Sequence, residues 1–292
     1  MNKALTITVV ANMTSNYSEG LGNISSVQKV FKNQKVYAMR SRESLKNAIC
    51  VQAGLYDDLQ TQLDGAMQKY VTKDVNAATC RALEGGYMST QGTTYVRNSS
   101  FYLTDAIACE SFINETRFHN NLYLASAHAK ANGLNVQQNP KEVGLMPYQY
   151  EYDKSLKTYS MTIDLEMVGK DENFDAEAEN TEKNDRVASL LNAIENLSLV
   201  VKGNLDNAEP IFVVGGLSDR KTHYFENVVN VKGQKLIITK DLKDKISKGF
   251  YVGLLESGVL ENENDIEKEL NPLSITKFFE TLKRDVEEYY GV

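Results

Sequence analysis

Between Asn16 and Gln52 the chain reads NYSEGLGNISSVQKVF and then KVYAMRSRESLKNAICVQ. A loop rich in Gly, Ser and Asn leads into a short basic strand, and the strand runs into a helix. The first fifty residues hold seven Lys/Arg (Lys3, Lys29, Lys32, Lys35, Arg40, Arg42, Lys46) against two acids, Glu19 and Glu43. Arg40, Ser41, Arg42 and Lys46 fall together at the strand-to-helix junction. Backbone N–H groups of a helix's first turn, joined by such side chains, bind a phosphate without reading its base. An ordinary solvated helix start has the same spacing, and spacing alone does not separate the two.

Other chemistries find less support. His119, His128 and His223 sit in no HExxH and beside no Ser or Cys nucleophile motif. His128 lies in an Ala-rich stretch and reads as structural, whereas His119 and His223 adjoin polar loops within reach of RNA or water. Asp164 and Glu166 share one face of a strand, the usual polar face of a half-buried sheet. The three cysteines (Cys50, Cys80, Cys109) are isolated, with no CxxC and no His at metal spacing. They read as free thiols in a reducing cytoplasm. No catalytic residue, metal site or cofactor is expected. Gly20-Leu21-Gly22 starts a dinucleotide fingerprint but lacks its third Gly, and no GxxxxGK[ST] occurs. The basic-Gly-aromatic-Gly-Phe run of simple RNA-recognition modules is also missing. That argues against bases stacking on sheet aromatics and for backbone tracking along a groove.

The elements that must position these residues follow from periodicity. Strands are expected at 3–10, 36–39, 159–168, 211–214, 228–231, 236–239 and 250–255. Helices are expected at 42–52, 56–70, 74–83, 120–132, 187–200, 241–247 and 275–290. Residues 87–103 read as loop or hairpin, Thr104 or Asp105 as a helix cap, and 170–186 as an acidic, low-complexity loop. In 159–168, Tyr159, Met161, Ile163, Leu165 and Met167 alternate with polar residues, predicting one buried and one wetter face. The order predicts an α+β antiparallel sheet of ferredoxin-like type with helices on one side. Residues 54–146 are too long for one crossover and are expected to form an inserted, mainly helical lobe.

The chain has 292 residues, 42% of them hydrophobic, enough to bury a sizeable core. No apolar run approaches the roughly 20 residues that span a bilayer. The net charge of −7 argues against a simple nucleic-acid coat. Its distribution is uneven: residues 1–150 carry +3, 151–200 carry −7, 201–250 carry +3 and 251–292 carry −6. Basic and acidic blocks on opposite faces would let one face attract phosphates while the other meets a basic neighbour.

Several segments in sequence then carry a resemblance. The loop NYSEGLGNISSVQKV, the junction YAMRSRESLKNAI, the later RNSSFYLTDAIA and PYQYEYDKSLKTYSMTIDLEMVG together resemble the DevR/Cst-type backbone subunit of type I (I-B-like) CRISPR Cascade complexes. That group is the seventh Cas class of the RAMP superfamily, and the resemblance spans residue 3 to about 240. It implies a modified RRM/ferredoxin-like palm from 1–53 and 147–292, a helical finger lobe at 54–146, and a thumb-like hairpin near 203–232. It implies copies polymerised head-to-tail along one CRISPR guide RNA, which stays open to pair with target DNA. Other Cascade subunits would be partners: a large subunit, a guide-handle-binding subunit and a guide-processing endonuclease. By the same resemblance Ser41 and Lys46 match helix-start contacts with the guide backbone, with Arg40 and Arg42 beside them. Asn23 lies in the guide-facing loop, Arg97 begins the RNSSFYLTDAIA motif, and Gly215, Gly216, Arg220 and Lys221 fall near a thumb. Related type III subunits cut RNA with an Asp in an early loop. Residues 12–28 contain no Asp, which favours a non-cleaving scaffold. The rivals are a RAMP-type endoribonuclease that processes precursor guide RNA, with His119 its candidate, and a protein-only assembly module.

Overall fold

Leu5, Ile7, Val9, Ala11 and Met13 alternate with Thr6, Thr8 and Val10, and the run of β-branched residues favours an extended chain. In the computed structural model, which describes residues 3–17, 24–90 and 92–292, this run is strand β1 (Ala4–Thr14). It stands at the centre of a nine-stranded sheet. The other members in chain order are β2 (Lys29–Lys32), β3 (Lys35–Arg40), β4 (Phe101–Leu103), β5 (Ala106–Ala108), β6 (Lys154–Asp164), β7 (Pro210–Ser218), β8 (Tyr251–Leu254) and β9 (Leu273–Ser274). Their spatial order is β9-β8-β7-β1-β6-β5-β3-β2, with β4 pairing the far end of β6. Every pairing is antiparallel except that of β8 with β9.

The odd-numbered face of β1 is covered by three helices. These are α1 (Arg42–Gln52), α3 (Asn180–Glu195) and α6 (Ile275–Tyr290); α2 (Leu122–Asn132) lies apart in a peripheral lobe. Leu45 and Ile49, Val187, Leu190, Leu191 and Ile194, and Phe278, Phe279, Leu282 and Val286 meet Leu5, Ile7 and Val9 in one core. Each such buried side chain is worth about 1.5–3 kcal/mol against exposure. The opposite face carries Val10, Phe212 and Val214 under a second layer. That layer comprises Phe225, Val229, α4 (Lys240–Ile246) and α5 (Glu263–Leu270).

The α+β class and the antiparallel sheet match the sequence reading, and the bounds of α1 and α6 match it to the residue. Several local expectations do not survive. Residues 54–146 are not mainly helical: α2 and one 3-10 turn (Arg81–Leu83) are their only helices among the described residues. Residues 61–64 and 66–69 pair as a hairpin turning at Gly65, whose φ is +67°. Leu63 faces Met67 across it, so the i,i+4 spacing that resembles one helix face is a cross-strand pair. Residues 74–83 turn instead of winding, because Asp58 takes the N–H groups of Arg81 and Ala82 at 2.7 and 3.1 Å. β4 and β5 join the main sheet, so the insert does not run unbroken to residue 146. Asp105 accepts the N–H of Arg42, the first residue of α1, and caps no helix of its own.

The acidic stretch 170–186 is ordered. Lys170–Asp171 pairs with Ala176–Glu177, and α3 begins at Asn180 with Lys183 and Arg186 buried. Glu177 and Glu182 have cationic partners within the protein, which a charge tally does not reveal. The polar face of β6 is not wet: residues 159–164 are all buried. Thr6 meets Thr162 and Thr8 meets Ser160 at 3.3 and 2.7 Å, under a roof in which His223 Nδ1 reaches Thr162 Oγ1 at 2.9 Å. No single hairpin spans 203–232. A hairpin instead pairs Ser198–Val201 with Asn204–Asn207, and the PIFVVGGLS run that follows is the central strand β7.

Candidate nucleic-acid interface

The junction that leads from β3 into α1 is built from local hydrogen bonds. Ser41 is the N-cap: its hydroxyl accepts the Ser44 N–H at 3.3 Å. Its own N–H donates to Asn16 Oδ1 at 2.7 Å, and the Arg42 N–H donates to Asp105 Oδ1 at 2.6 Å. Donors expected to face a phosphate are thus taken by neighbouring side chains.

The side chains divide in the same way. Arg40 is buried, with Nε on the Thr14 carbonyl at 3.0 Å and a terminal nitrogen on Ser44 Oγ at 2.8 Å. Burial draws its pKa down to about 10, against the opposing pull of Asp206. Lys46 turns inward: Nζ donates to the Gly85 carbonyl at 2.9 Å and to Ser99 Oγ at 3.2 Å, above the Phe101 ring. Its burial holds its pKa below the ordinary lysine range. Arg97 is 7% exposed and serves as a strut. It pairs with Glu84 at 3.2 Å and donates to the carbonyls of Lys170 and Met167, both at 2.8 Å. Glu84 also receives Arg186 at 2.7 Å. Gly215 and Gly216 lie in β7, opposite Ile7 and Thr6. A Cβ on Gly215 would stand 2.2 Å from the Thr6 carbonyl oxygen, so glycine is required by close approach of the backbones. Lys221 is held by Asp164 and Glu166, both at 2.8 Å. Asn23 lies outside the described residues.

Arg42 and Arg220 are exposed, and each lines a groove. The first groove, of about 520 Å³, crosses the uncovered end of the sheet. Lys32, Asn33 and Tyr37 form one wall, Asn230, Val231 and Lys232 the other, with Thr104 and Thr158 between them. Asn33 and Gln34 make the β2–β3 turn with φ of +51° and +60°, which carries Lys32 and Lys35 out into solvent. No carboxylate pairs with Lys32, Lys35 or Lys232 among the described residues. Arg42 is shared with Glu43, and Asp105 and Glu226 add two acids to the lining. A second groove of about 560 Å³ holds Arg220, Lys245 and Lys248 with Asp241 and Asp244. Residues 222–230 form the ridge between them.

The sequence therefore locates the basic island, and the fold divides the predicted residues between buried and groove-lining positions. Of the ten predicted residues, Arg42 and Arg220 line these grooves, Arg42 in an ion pair with Glu43. In the sequence Lys32 and Lys232 register only as charge, and their convergence across the sheet needs the fold. The short Lys29-Val30-Phe31-Lys32 run and the Asn33-Gln34 turn are the available signal. Among the described residues, no group of three or more His, Cys, Asp or Glu could hold a metal ion. No helix there is long and apolar enough to cross a membrane.

Comparisons with known proteins add to this geometry. No curated protein matches the sequence. A solved chain described as "CRISPR RNA-guided surveillance complex, pre-nicking" has a similar fold, with a TM-score of 0.61 at 11% identity over 97% of this chain and 100% of that one. A second, described as "CRISPR RNA-guided surveillance complex", aligns with a TM-score of 0.48 at 14% identity over 85% and 87%. The profile of the "CRISPR-associated negative auto-regulator DevR/Csa2" family matches residues 39–232, from the end of β3 to the far wall of the first groove, and the chain belongs to that family.

Proposed function

We propose that this chain is a non-catalytic backbone subunit of an I-B-like Cascade surveillance complex, holding a CRISPR guide RNA by its phosphates. The observation that carries this reading is the family match, whose span from Met39 to Lys232 takes in Arg42, the floor of the first groove and its far wall. Lys32, Arg42 and Lys232 supply cations at separated points, which suits a backbone passing along the groove better than a single bound phosphate. The likeness of the whole fold to a chain from an RNA-guided complex supports the same ligand class. Sequence would be read by pairing between guide and target DNA, while the protein holds the backbone. Copies would follow one another head-to-tail, each basic surface meeting an acidic block of the next, alongside the other Cascade subunits.

The test is to purify the chain from cells that transcribe a CRISPR array and to extract its nucleic acid. One RNA species of uniform guide length is expected. Recovery of protein free of RNA, or of RNA with no defined length, would overturn the reading.

A further inference from the structure

A small sheet outside the main one carries an aromatic surface that the groove does not use. Thr116–Asn120 pairs antiparallel with Pro147–Glu151, and Ile24–Ser25 adds a short parallel strand. His119 lies directly opposite Tyr148, and Arg117 opposite Tyr150. Because side chains alternate, Arg117, His119, Tyr148, Tyr150 and Tyr152 share one face. The rings of His119, Tyr148 and Tyr150 lie within 20° of parallel. His119 is 5.5 Å from Tyr148 and 4.9 Å from Tyr150, centroid to centroid. Tyr150 is buried and anchors the set edge-on against Tyr17, while His119 and Tyr148 are exposed. Cations flank it: the Arg117 guanidinium lies 3.4 Å over the Tyr152 ring and Lys202 Nζ 4.9 Å over Tyr17. Glu115, 3.8 Å from Arg117, and Glu151, paired with Lys29, are the nearby acids.

We propose that His119 and Tyr148 form a stacking platform for an unpaired nucleobase of a single-stranded nucleic acid. This rests on the reading that the chain binds nucleic acid. Parallel rings fixed from below and open above offer a π-face that any base can extend. Flanking cations meet the phosphates on either side of that base. Such a site is indifferent to base identity, which suits a strand of variable sequence. Guide RNA and the target DNA strand share this chemistry, so the sugar is left to the experiment. Folding fixes the rings in advance: Tyr150 is locked between Tyr17 and His119, so little ordering is left for binding.

The test uses the full chain with His119→Ala and Tyr148→Ala combined, and Tyr148→Trp as the variant that restores a ring. Three labelled strands of equal length are titrated at fixed salt: oligo-rU, oligo-dT and an abasic ribose-phosphate strand. The double variant should lose about tenfold or more in affinity for base-bearing strands, keep its affinity for the abasic strand, and keep the salt slope of the wild type. Tyr148→Trp should bind as the wild type does. The arm that loses more, rU or dT, names the strand. Equal losses on abasic and base-bearing strands, or none on either, would overturn the platform and leave the face to a protein partner, with the groove reading intact. Wild-type protein that binds none of the three strands would overturn both.

Discussion

At the scale of single residues, position in the fold sorts cations of identical chemistry into struts and free hands. Arg97, Arg40 and Lys46 are polar groups in low-dielectric surroundings, so their hydrogen bonds are obligatory to the fold. Arg97 shares Glu84 with Arg186, and Glu84 is 1% exposed. Arg97→Ala should lower stability by about 3–5 kcal/mol, because part of a buried charge is left without its partner. Chemical denaturation would measure that loss, and RNA affinity of the folded fraction should not change. An unchanged denaturation midpoint with weakened RNA binding would return Arg97 to the interface. The sequence alone cannot make this distinction. RNSSFYLTDAIA shows a basic residue beside a strand, whereas the acid it answers is thirteen residues upstream.

At the scale of elements, periodicity is most legible where one face is uniformly apolar. β1, α1 and α6 are recognisable because their buried faces repeat at 2 or 3.6 residues over a long run. The hairpin at 61–69 imitates a helix because i,i+4 spacing serves a helix face and a tight cross-strand pair alike. The sequence reading shortens β7 to 211–214 and sets its glycines near a thumb, since nothing local says that Gly215 touches β1. The close approach makes a prediction at this scale. Gly215→Ala drives a methyl into the Thr6 carbonyl, so β1 and β7 must separate at the middle of the sheet. The expected result is a fall of several kcal/mol in stability, seen as a lower thermal midpoint and less soluble protein. A variant as stable as the wild type would show that the pairing of β1 with β7 relaxes freely there.

At the scale of the whole molecule, the alternating charge blocks gain a geometry. The basic block at 201–250 supplies Lys232 to the first groove and Arg220, Lys245 and Lys248 to the second. The basic island at the N-terminus supplies Lys32 and Arg42. Two cation sources far apart in sequence therefore meet across one sheet face, though the chain as a whole is anionic. Lys32→Glu combined with Lys232→Glu should weaken single-stranded RNA binding. The fall of log affinity with log salt should become shallower by about 0.7 for each phosphate that the protein no longer neutralises. Both side chains are exposed, so stability should stay within about 0.5 kcal/mol of wild type. An unchanged salt slope would move the RNA path elsewhere.

By itself the sequence determined the α+β class, the long amphipathic elements and the presence of a cationic island on an acidic chain. These depend on local periodicity and composition, which neighbours along the chain specify. Only the tertiary structure decided which cations are free. Burial and partner choice depend on residues far apart in the chain, such as Arg97 bonded to the Lys170 carbonyl and Lys32 facing Lys232 across the groove. The same reason hid the aromatic face of the small sheet: His119 and Tyr148 are 29 residues apart in sequence and become neighbours only through strand pairing.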